Sequence, residues 1–351
     1  MISVAEHSYR DTILVLTQQN EPHSDLVLDQ LSRRGVPAIR FQTEDFPRQA
    51  AITCRTTDQE ERQTLTIDGE DHDLATIRTV WNRRPGPLVA VVSNELDGPD
   101  RQFAIDECSH LLKGLWAVLS DRFWVNKPEA TAQASLKPSQ LAVARQLGFT
   151  VPRTLMTNRP DQLRSFFDEC DGQIIYKGFS AHMRVVEGRT VGIYTNRLTK
   201  NDIAKCDSIR FAPGIFQEYV PKRVELRITV IGTRALAAEI HSQNSERSRD
   251  DWRRYDFGNT PYCPHPLPMD VEARCVRLVR SLGLVFGCID MIVTPDSRYV
   301  FLEINPNGQW YWIEQLTGMP LLDHFVEMLI QATPNYAMTS SDEVAKGTIA
   351  S

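Results

Sequence analysis

The sequence contains no long hydrophobic run. None of the 351 residues belongs to a stretch that approaches the roughly 20 consecutive apolar residues of a membrane-spanning helix. The first residues, Met1 to His7, also lack a basic region followed by an apolar run, so no signal peptide is predicted. We therefore expect a cytoplasmic protein that does not bind membranes.

Closely spaced cysteine pairs are also missing. The seven cysteines are scattered along the chain without a close CxxC pair, which predicts neither a zinc-binding cysteine cluster nor a disulfide framework. Cys108 and Cys275 fall on apolar helix faces. We expect buried, reduced thiols, as in a cytoplasmic protein.

Two further absences narrow the class of function. No glycine-rich phosphate loop follows the first predicted strand, Thr12–Thr17, which argues against a dinucleotide-binding domain. The formal net charge is −6, so the chain has no overall field that would attract a nucleic acid, and no nucleic-acid partner is expected. An anionic ligand must be held by local Lys and Arg side chains.

The chain otherwise has the pattern of a soluble globular protein with two or three domains, because its length exceeds one ordinary core. Apolar strands and amphipathic helices predict an α/β fold with α+β elements. We expect four segments: an N-terminal domain (1–125), a central domain (126–210), a C-terminal domain (211–335) and a disordered polar tail (336–351).

Two apolar segments near the C-terminus, residues 284–294 and 298–305, are predicted to form a hairpin. If Asp296–Ser297 is a two-residue turn, the register places Asp290 directly opposite Glu303. Cross-strand neighbours of this kind lie about 4.5–5.5 Å apart at Cβ. The hairpin therefore brings two carboxylates together within an otherwise apolar sequence.

These carboxylates predict a metal site. Asn305 follows Glu303 by two residues and shares its face of the strand. Two carboxylates and an amide oxygen suit Mg²⁺, whereas buried carboxylates without a cation would repel each other. The alternative is an exposed polar face on an edge hairpin. Asn307, in the following turn, is expected either to join the site or to cap the next helix.

Two lysines are candidate phosphate ligands. Lys137 stands at the start of a predicted helix, and Lys177 ends the apolar strand Ile174–Lys177. A lysine at the end of such a strand must extend to solvent or meet an anion. The alternative for each is an ordinary surface lysine.

Several ordered segments resemble the ATP-grasp family, and within it the ribosomal-peptide maturases of the microviridin (graspetide) type. The resemblance covers nearly the whole chain and rests on Trp81–Pro85, Asn126–Asn158, Phe216–Arg227 and Phe301–Trp310. It implies an ATP-grasp fold with an N-terminal pre-ATP-grasp domain, a central lid domain and a C-terminal catalytic domain.

The resemblance also implies roles for individual residues. Lys137 and Lys177 fall on lysines that contact phosphates, and Asn305 joins the nucleotide and metal ligands. Glu218 and Val220 fall at the hinge that reads the adenine edge, while Glu225 falls where a carboxylate takes the ribose hydroxyls.

Arginines are expected on the phosphate side. Arg227 shares a strand face with Glu225, and its planar fork is expected to bind phosphate or the substrate carboxylate. The alternative is a surface Glu225–Arg227 pair that contributes little. Arg249 or Arg253, in a loop with four arginines, is expected on the γ-phosphate. His241 ends a strand, and either lines the site or is structural.

The implied activity is that of an ATP-dependent ligase with ATP and two Mg²⁺ ions. Members of this family phosphorylate Asp or Glu side chains of a precursor peptide, composed of leader and core. Ser/Thr hydroxyls or a Lys amine then attack, which forms macrocyclic lactones or lactams. A homodimer is expected, and the predicted hairpin at 183–195 is the candidate leader-binding surface or a lid over ATP.

Two other functions stay open. One is a ligase acting on a small amino acid or a protein tail, similar to glutathione synthetase or ribosomal-protein glutamate ligases. The other is a nucleotide-binding module without ligase activity. The predicted metal site and the two lysines argue against the second, and the segments at 81–85 and 307–310 favour a peptide maturase over the first.

Overall fold

The computed structural model describes residues 10–87, 96–179, 194–254, 256 and 258–337, together with the backbone of two short strands between 183 and 192. These residues form five β-sheets with helices packed on their faces. Within these ranges, no helix is long and apolar enough to cross a membrane.

The N-terminal part is a parallel sheet with an antiparallel meander beside it. Parallel pairing joins four strands in the order β2-β1-β6-β7, and β3-β4-β5 form the meander. β1 is buried along its whole length, which explains its continuous apolar run. The elements are β1 (Thr12–Thr17), α1 (Pro22–Arg33), β2 (Ala38–Gln42), β3 (Ala50–Thr56), β4 (Glu61–Ile67), β5 (Glu70–Asp73), β6 (Ile77–Asn82), α2 (Gly98–Val118) and β7 (Phe123–Val125).

The central part is a small antiparallel sheet with the order β12-β9-β13-β8 and a separate hairpin of β10 and β11. Its last strand, Gly214–Glu218, pairs with both β8 and β9, although the expected boundary at 211 assigns it to the C-terminal domain. The elements are α3 (Pro128–Ala134), α4 (Lys137–Gln146), β8 (Thr154–Thr157), α5 (Pro160–Glu169), β9 (Ile174–Lys177), β10 (Met183–Val186), β11 (Arg189–Gly192), β12 (Asn196–Arg197), α6 (Lys200–Ala204) and β13 (Gly214–Glu218).

The C-terminal part is a five-stranded antiparallel sheet in the order β16-β15-β14-β17-β18. One face packs on helix α7 through an apolar core. The other face packs partly on α8, α9 and the N-terminal sheet, and its remaining part carries polar side chains. The elements are β14 (Val224–Ile231), β15 (Arg234–Ile240), β16 (Tyr262–His265), α7 (Met269–Ser281), β17 (Phe286–Val293), β18 (Tyr299–Asn305), α8 (Tyr311–Thr317) and α9 (Leu321–Gln331).

The hairpin of β17 and β18 pairs Asp290 with Glu303, as the sequence predicts. The predicted two-residue turn is wrong, however. Thr294 donates its backbone N–H to the carbonyl of Arg298 at 3.0 Å, which closes a three-residue turn. Leu302 on β18 then forms a bulge opposite Asp290 and Met291, which offsets the extra residue and restores the pairing.

Two expectations about the rest of the chain need correction. Tyr336, the expected start of the disordered tail, is buried and accepts the backbone N–H of Thr233 at 2.9 Å. Residues 338–351 of that tail lie outside the described residues. All seven cysteines are free, but Cys54 and Cys263 are exposed rather than buried.

Candidate functional site

A cleft lies between the central sheet and the polar part of the C-terminal sheet. β9 and the β13–β14 connection line one side of this cleft, and β14, β17 and β18 line the other. The structure brings most of the predicted site residues to it: Lys137, Lys177, Glu218, Val220, Glu225, Arg253, Asp290, Glu303 and Asn305.

The paired carboxylates on β17 and β18 each have a cationic partner. Lys137, at the start of α4, contacts Glu303 Oε2 at 2.7 Å, and Arg227 on β14 donates to Asp290 Oδ1 at 2.9 Å. Burial alone would raise the pKa of Glu303, but the positive charges of Lys137, Arg253 and Lys177 lower it to about 2. Burial raises the pKa of Asp290, and the charge of Glu303 adds to this effect.

This donor set fits a hard divalent cation. Each basic partner contacts one oxygen of its carboxylate, which leaves Asp290 Oδ2 and Glu303 Oε1 to face a metal ion. Asn305 is exposed at the end of β18, and its Oδ1 accepts the backbone N–H of Asn307 at 3.0 Å. An amide oxygen has a second lone pair, so this hydrogen bond still permits metal ligation.

The environment of Lys177 indicates that the cleft binds an anionic ligand. Its amino group lies in the cleft, where burial lowers its pKa. Among the described residues, none is within ion-pair or hydrogen-bond distance of Lys177 Nζ. A buried ammonium without a nearby partner is costly, so the cleft favours a bound anion beside Lys177.

The arginine-rich loop contributes one arginine to the cleft. Arg253 lines the cleft and forms a bidentate pair with Asp251, with N–O distances of 2.8 and 2.7 Å. Burial would lower the pKa of Arg253, but the hydrogen bonds and the charge of Asp251 outweigh this effect and raise the pKa above its usual value. Arg249, the other candidate, is exposed and does not line the cleft. The prediction for Arg249 is therefore corrected, because its side chain points to solvent.

Glu225 also lines the cleft. It is buried on β14, and its Oε1 accepts hydrogen bonds from Lys222 Nζ and Ser242 Oγ, each at 2.7 Å. Burial raises the pKa of Glu225, while Lys222 lowers it. The other carboxylate oxygen of Glu225 remains available to accept a hydrogen bond from a hydroxyl group.

The hinge residue Glu218 uses its side chain elsewhere. Its carboxylate accepts hydrogen bonds from the backbone N–H and from Nε of Arg153, at 3.0 and 2.6 Å. Val220 lines the same part of the cleft. Arg153 therefore occupies the Glu218 carboxylate, and the Glu218 backbone N–H donates to the carbonyl of Arg153 at 3.0 Å.

Arg227 is not part of a surface pair with Glu225. It is buried, donates to Asp290, and also donates to the carbonyl of Gln309 at 2.9 Å. Its Nε has no hydrogen-bond partner among the described residues. Arg227 thus joins the carboxylate on β17 to the turn that follows β18.

That turn is held by the N-terminal domain. Arg83, which follows β6, pairs with Glu21 at 2.8 Å and donates to the carbonyl of Asn307 at 2.9 Å. His23 Nε2 accepts the backbone N–H of Trp310 at 3.2 Å. Asn307 therefore acts through its backbone. It does not cap α8, because Trp310 occupies the position before that helix, and it does not line the cleft.

Several positioning residues are missed by sequence reasoning. Gln140 on α4 braces β18 by accepting the backbone N–H of Ile304 at 3.2 Å and donating to its carbonyl at 2.8 Å. Asn126 joins the start of β17 to the carbonyl of Pro306. Buried amides give no periodic pattern, so only the fold identifies them. Lys222 and Asp251 lie within charged segments where sequence alone does not separate buried from solvated groups.

Comparisons with known proteins match this arrangement. Residues 12–132 match the family model for the MvdD pre-ATP grasp domain. The structure is similar to a RiPP-associated ATP-grasp ligase of Chryseobacterium gregarium, solved with ADP and a leader and core peptide. The TM-score is 0.86, the identity is 28%, and the match covers 93% of this chain and 100% of that one. No curated protein matches the chain.

Two macrocyclases of Microcystis aeruginosa MRC are also similar. MdnC, solved with the precursor peptide MdnA, is 30% identical with a TM-score of 0.80, over 92% of this chain and 100% of that one. MdnB is 26% identical with a TM-score of 0.75, over 91% and 99%. The chain belongs to this family, the ATP-grasp ligases that mature ribosomal peptides of the microviridin type. The predicted ATP-grasp fold and ligase class are thereby confirmed.

Proposed function

We propose that this chain uses ATP and Mg²⁺ to activate Asp or Glu side chains of a precursor peptide and to close macrocyclic esters or amides. One observation carries the proposal. The Asp290–Glu303 pair and Lys177, which has no ion-pair partner among the described residues, line one cleft, and this donor set suits a divalent cation with a nucleotide phosphate.

Each end of the nucleotide has its own set of residues in this proposal. Glu225 accepts hydrogen bonds from the ribose hydroxyls, while the backbone of Glu218 and Val220 contacts the edge of the adenine ring. Lys177 and Arg253 hold the phosphates at the other end. Asp290, Glu303 and Asn305 would hold Mg²⁺, with two ions expected, and the metal would neutralise charge on the transferring phosphoryl group.

The reaction proceeds in two steps. A substrate carboxylate oxygen attacks the γ-phosphorus of ATP, and the bond between this phosphorus and the β–γ bridging oxygen breaks. ADP departs, and the peptide carries an acyl phosphate. A Ser/Thr hydroxyl or a Lys amine then attacks the activated carbonyl, loses its proton and expels phosphate. In this proposal Arg253, which lines the cleft, stabilises the transferring group, and Arg227, which donates to Asp290, acts on the substrate carboxylate. Each ring removes one water from the peptide overall.

A peptide substrate is supported by the peptide-bound relatives, the Chryseobacterium gregarium ligase and MdnC. We place the leader segment on the hairpin of β10 and β11. The two strands pair only with each other among the described strands, so each keeps an open edge that an extended peptide can join. The turn of that hairpin, residues 187–188, lies outside the described residues.

Further expectations from the sequence belong to the same proposal. They are the three-domain division, a homodimer, a cytoplasmic location, ester rather than amide products, which only the family resemblance favours, and the lack of a nucleic-acid partner. The net charge of −6 supports the last of these. Light scattering of the purified protein tests the homodimer.

Mass spectrometry tests the proposed function. The purified chain is incubated with ATP, Mg²⁺ and short peptides rich in Asp, Glu, Ser and Thr that carry candidate leader segments. We expect loss of one water per ring together with one ADP per ring. Mild alkaline treatment reopens ester rings but not amide rings. ADP formation with free amino acids, and none with peptides, would favour a small-molecule ligase.

A further inference from the structure

Three side chains of different chemistry meet on the C-terminal sheet, near the end of β15. Glu239 and His241 lie two residues apart on this segment, and Cys263 on β16 is the cross-strand partner of Glu239. His241 Nε2 lies 3.0 Å from Glu239 Oε2. Cys263 Sγ lies 3.7 Å from that oxygen and 3.6 Å from the imidazole nitrogen. One carboxylate oxygen, one imidazole nitrogen and one sulfur thus converge on one point.

The cluster lies on the face of the sheet opposite the cleft. Ile240 is the cross-strand partner of Glu225, which faces the cleft, whereas Glu239 is the partner of Leu226 in the core beneath α7. Since side chains alternate between faces along a strand, Glu239 and His241 point away from the cleft. His241 therefore does not line the nucleotide site, and the cluster is separate from the carboxylates of β17 and β18.

We propose that Glu239, His241 and Cys263 form a binding site for a divalent transition-metal ion, with Zn²⁺ as the ion that fits best. Ordinary zinc bond lengths and tetrahedral angles give sulfur–nitrogen and sulfur–oxygen separations of about 3.6 Å, and a nitrogen–oxygen separation of about 3.3 Å. The three measured separations are close to these values. Mixed sulfur and nitrogen ligands favour such an ion over Mg²⁺ or Ca²⁺.

A second layer of contacts orients the carboxylate. His265 lies 2.7 Å from Glu239 through Nδ1 and Oε1, and its Nε2 lies 2.8 Å from the hydroxyl of Tyr299. With the Tyr299 hydroxyl donating to Nε2, the Nδ1–H donates to Glu239 Oε1 and leaves Oε2 for the metal. Ligating carboxylates in metal sites are commonly held by such hydrogen bonds.

Charge and access also suit a metal ion. A thiolate, a carboxylate and a neutral imidazole balance the charge of a divalent cation, and the Cys263 proton passes to solvent on binding. Cys263 is exposed and Glu239 and His241 are partly exposed, so an ion can reach the three ligands from solvent. A water completes the tetrahedron.

The metal site would stabilise the base of the loop between β15 and β16, which carries residues of the cleft. His241 directly follows β15 and donates its backbone N–H to the carbonyl of Pro261 at 3.0 Å, which closes the loop of residues 242–260. This loop carries Ser242, which donates to Glu225, and Arg253, which lines the cleft. A metal ion bound by His241 and Cys263 ties both ends of the loop together and stabilises the folded chain.

Cobalt titration tests the site, independently of ligase activity. The untagged full-length chain is freed of metal with a chelator, exchanged into buffer with excess Mg²⁺, and titrated with Co²⁺. We expect one equivalent to give a thiolate-to-cobalt charge-transfer band, which Zn²⁺ abolishes. Cys263→Ser should remove this band, while Cys54→Ser, at the other exposed cysteine, should keep it. His241→Ala should weaken binding at least tenfold, and His265→Ala about tenfold.

Two controls decide the location and the role. Glu303→Gln should leave the cobalt band and affinity unchanged, because its carboxylate belongs to the cleft. Zn²⁺ should raise the melting temperature of the native chain but not that of Cys263→Ser. Absence of the band in the native chain, its survival in Cys263→Ser, or its loss in Glu303→Gln would each overturn the proposal. These outcomes leave the ligase proposal untouched, since none of them measures ADP or peptide product.

Discussion

Asp290 and Glu303 are direct cross-strand partners on β17 and β18, each with a separate basic side chain against one of its oxygens. The pairing brings two buried carboxylates together on the face that lines the cleft. Lys137 and Arg227 alone offset part of this charge, and Asp290 keeps a raised pKa. A bound divalent cation resolves the remaining repulsion, which is why the pair forms the centre of the proposed site.

The first prediction concerns Arg227. Arg227→Ala leaves Asp290 buried without its partner and should lower the free energy of unfolding by about 3–5 kcal/mol. The sequence alone predicts that this change affects catalysis far more than the fold, and the burial of Arg227 revises that expectation. Arg227→Lys keeps the charge but loses the guanidinium that donates to both Asp290 and the carbonyl of Gln309. We expect near-native urea unfolding for this variant, with peptide dehydration lowered about tenfold or more. Native activity in Arg227→Lys would remove the guanidinium from the mechanism.

The second prediction concerns Gly308, in the turn that Arg227 supports. A Cβ at this position would lie 2.7 Å from the Arg227 guanidinium and 2.5 Å from Cys288 Cβ. Gly308→Ala should displace the turn and the arginine, and lower kcat at least tenfold. Gly114→Ala is the matched control, because no atom lies within 4 Å of a Cβ placed there, in the middle of α2. Equal kinetics in both variants would contradict the close packing of the turn.

The third prediction distinguishes the roles of Glu225 and Glu218, which are proposed to contact the ribose and the adenine of ATP. Glu225→Gln removes the charged acceptor for the ribose hydroxyls and should raise the KM for ATP about 10- to 100-fold, with a smaller effect on kcat. Glu218→Gln should change KM less than about threefold, because its side chain pairs with the exposed Arg153. Steady-state ADP release measures both. The reverse order of effects would exchange the two roles.

The fourth prediction is a pH dependence of stability. Burial lowers the pKa of His23, and the charge of Arg83 adds to this effect, although Glu21 opposes it. Unfolding therefore takes up a proton once the pH falls below about 6.5, the pKa of an exposed histidine. The free energy of unfolding should fall between pH 7 and 5.5, with a contribution from His23 of up to about 1.4 kcal/mol per pH unit.

Paired variants isolate this contribution. His23→Gln can still accept the backbone N–H of Trp310 but does not titrate, so its stability should depend less on pH than that of the native chain. His110→Gln, at an exposed position on α2, should keep the native pH dependence. Urea denaturation at several pH values provides the comparison, and parallel curves for the native chain and His23→Gln would contradict the buried neutral state of His23.

The sequence predicts the partners of the central hairpin better than its turn. The sequence pairs Asp290 with Glu303 through a two-residue turn at Asp296–Ser297, which the structure replaces with a three-residue turn. The three-residue turn and the compensating bulge depend on Ser297, which adopts a φ of 63°, and on packing that the pattern does not encode. The correct pairing therefore arises from two deviations that cancel.

Contacts between distant segments are the part that the sequence leaves open. The Trp-x-Arg-Arg-Pro segment and the Asn-Gly-Gln-Trp segment each point to the family. Their direct contact, through Arg83 and the carbonyl of Asn307, appears only in the fold. The cluster of Glu239, His241 and Cys263 is missed for the same reason. A single cysteine gives no metal-binding spacing, and strand pairing supplies the other two ligands.

The most direct test of the proposed mechanism compares the native chain with Glu303→Gln on a cognate precursor peptide, read by mass spectrometry. Asp296→Asn, at an exposed turn residue of the same hairpin, is the matched control. We predict ATP- and Mg²⁺-dependent loss of one water per ring for the native chain and for Asp296→Asn. Glu303→Gln should lose at least about 10²-fold in rate. Full dehydration of the peptide by Glu303→Gln would contradict the assignment of the β17–β18 carboxylates as the metal site.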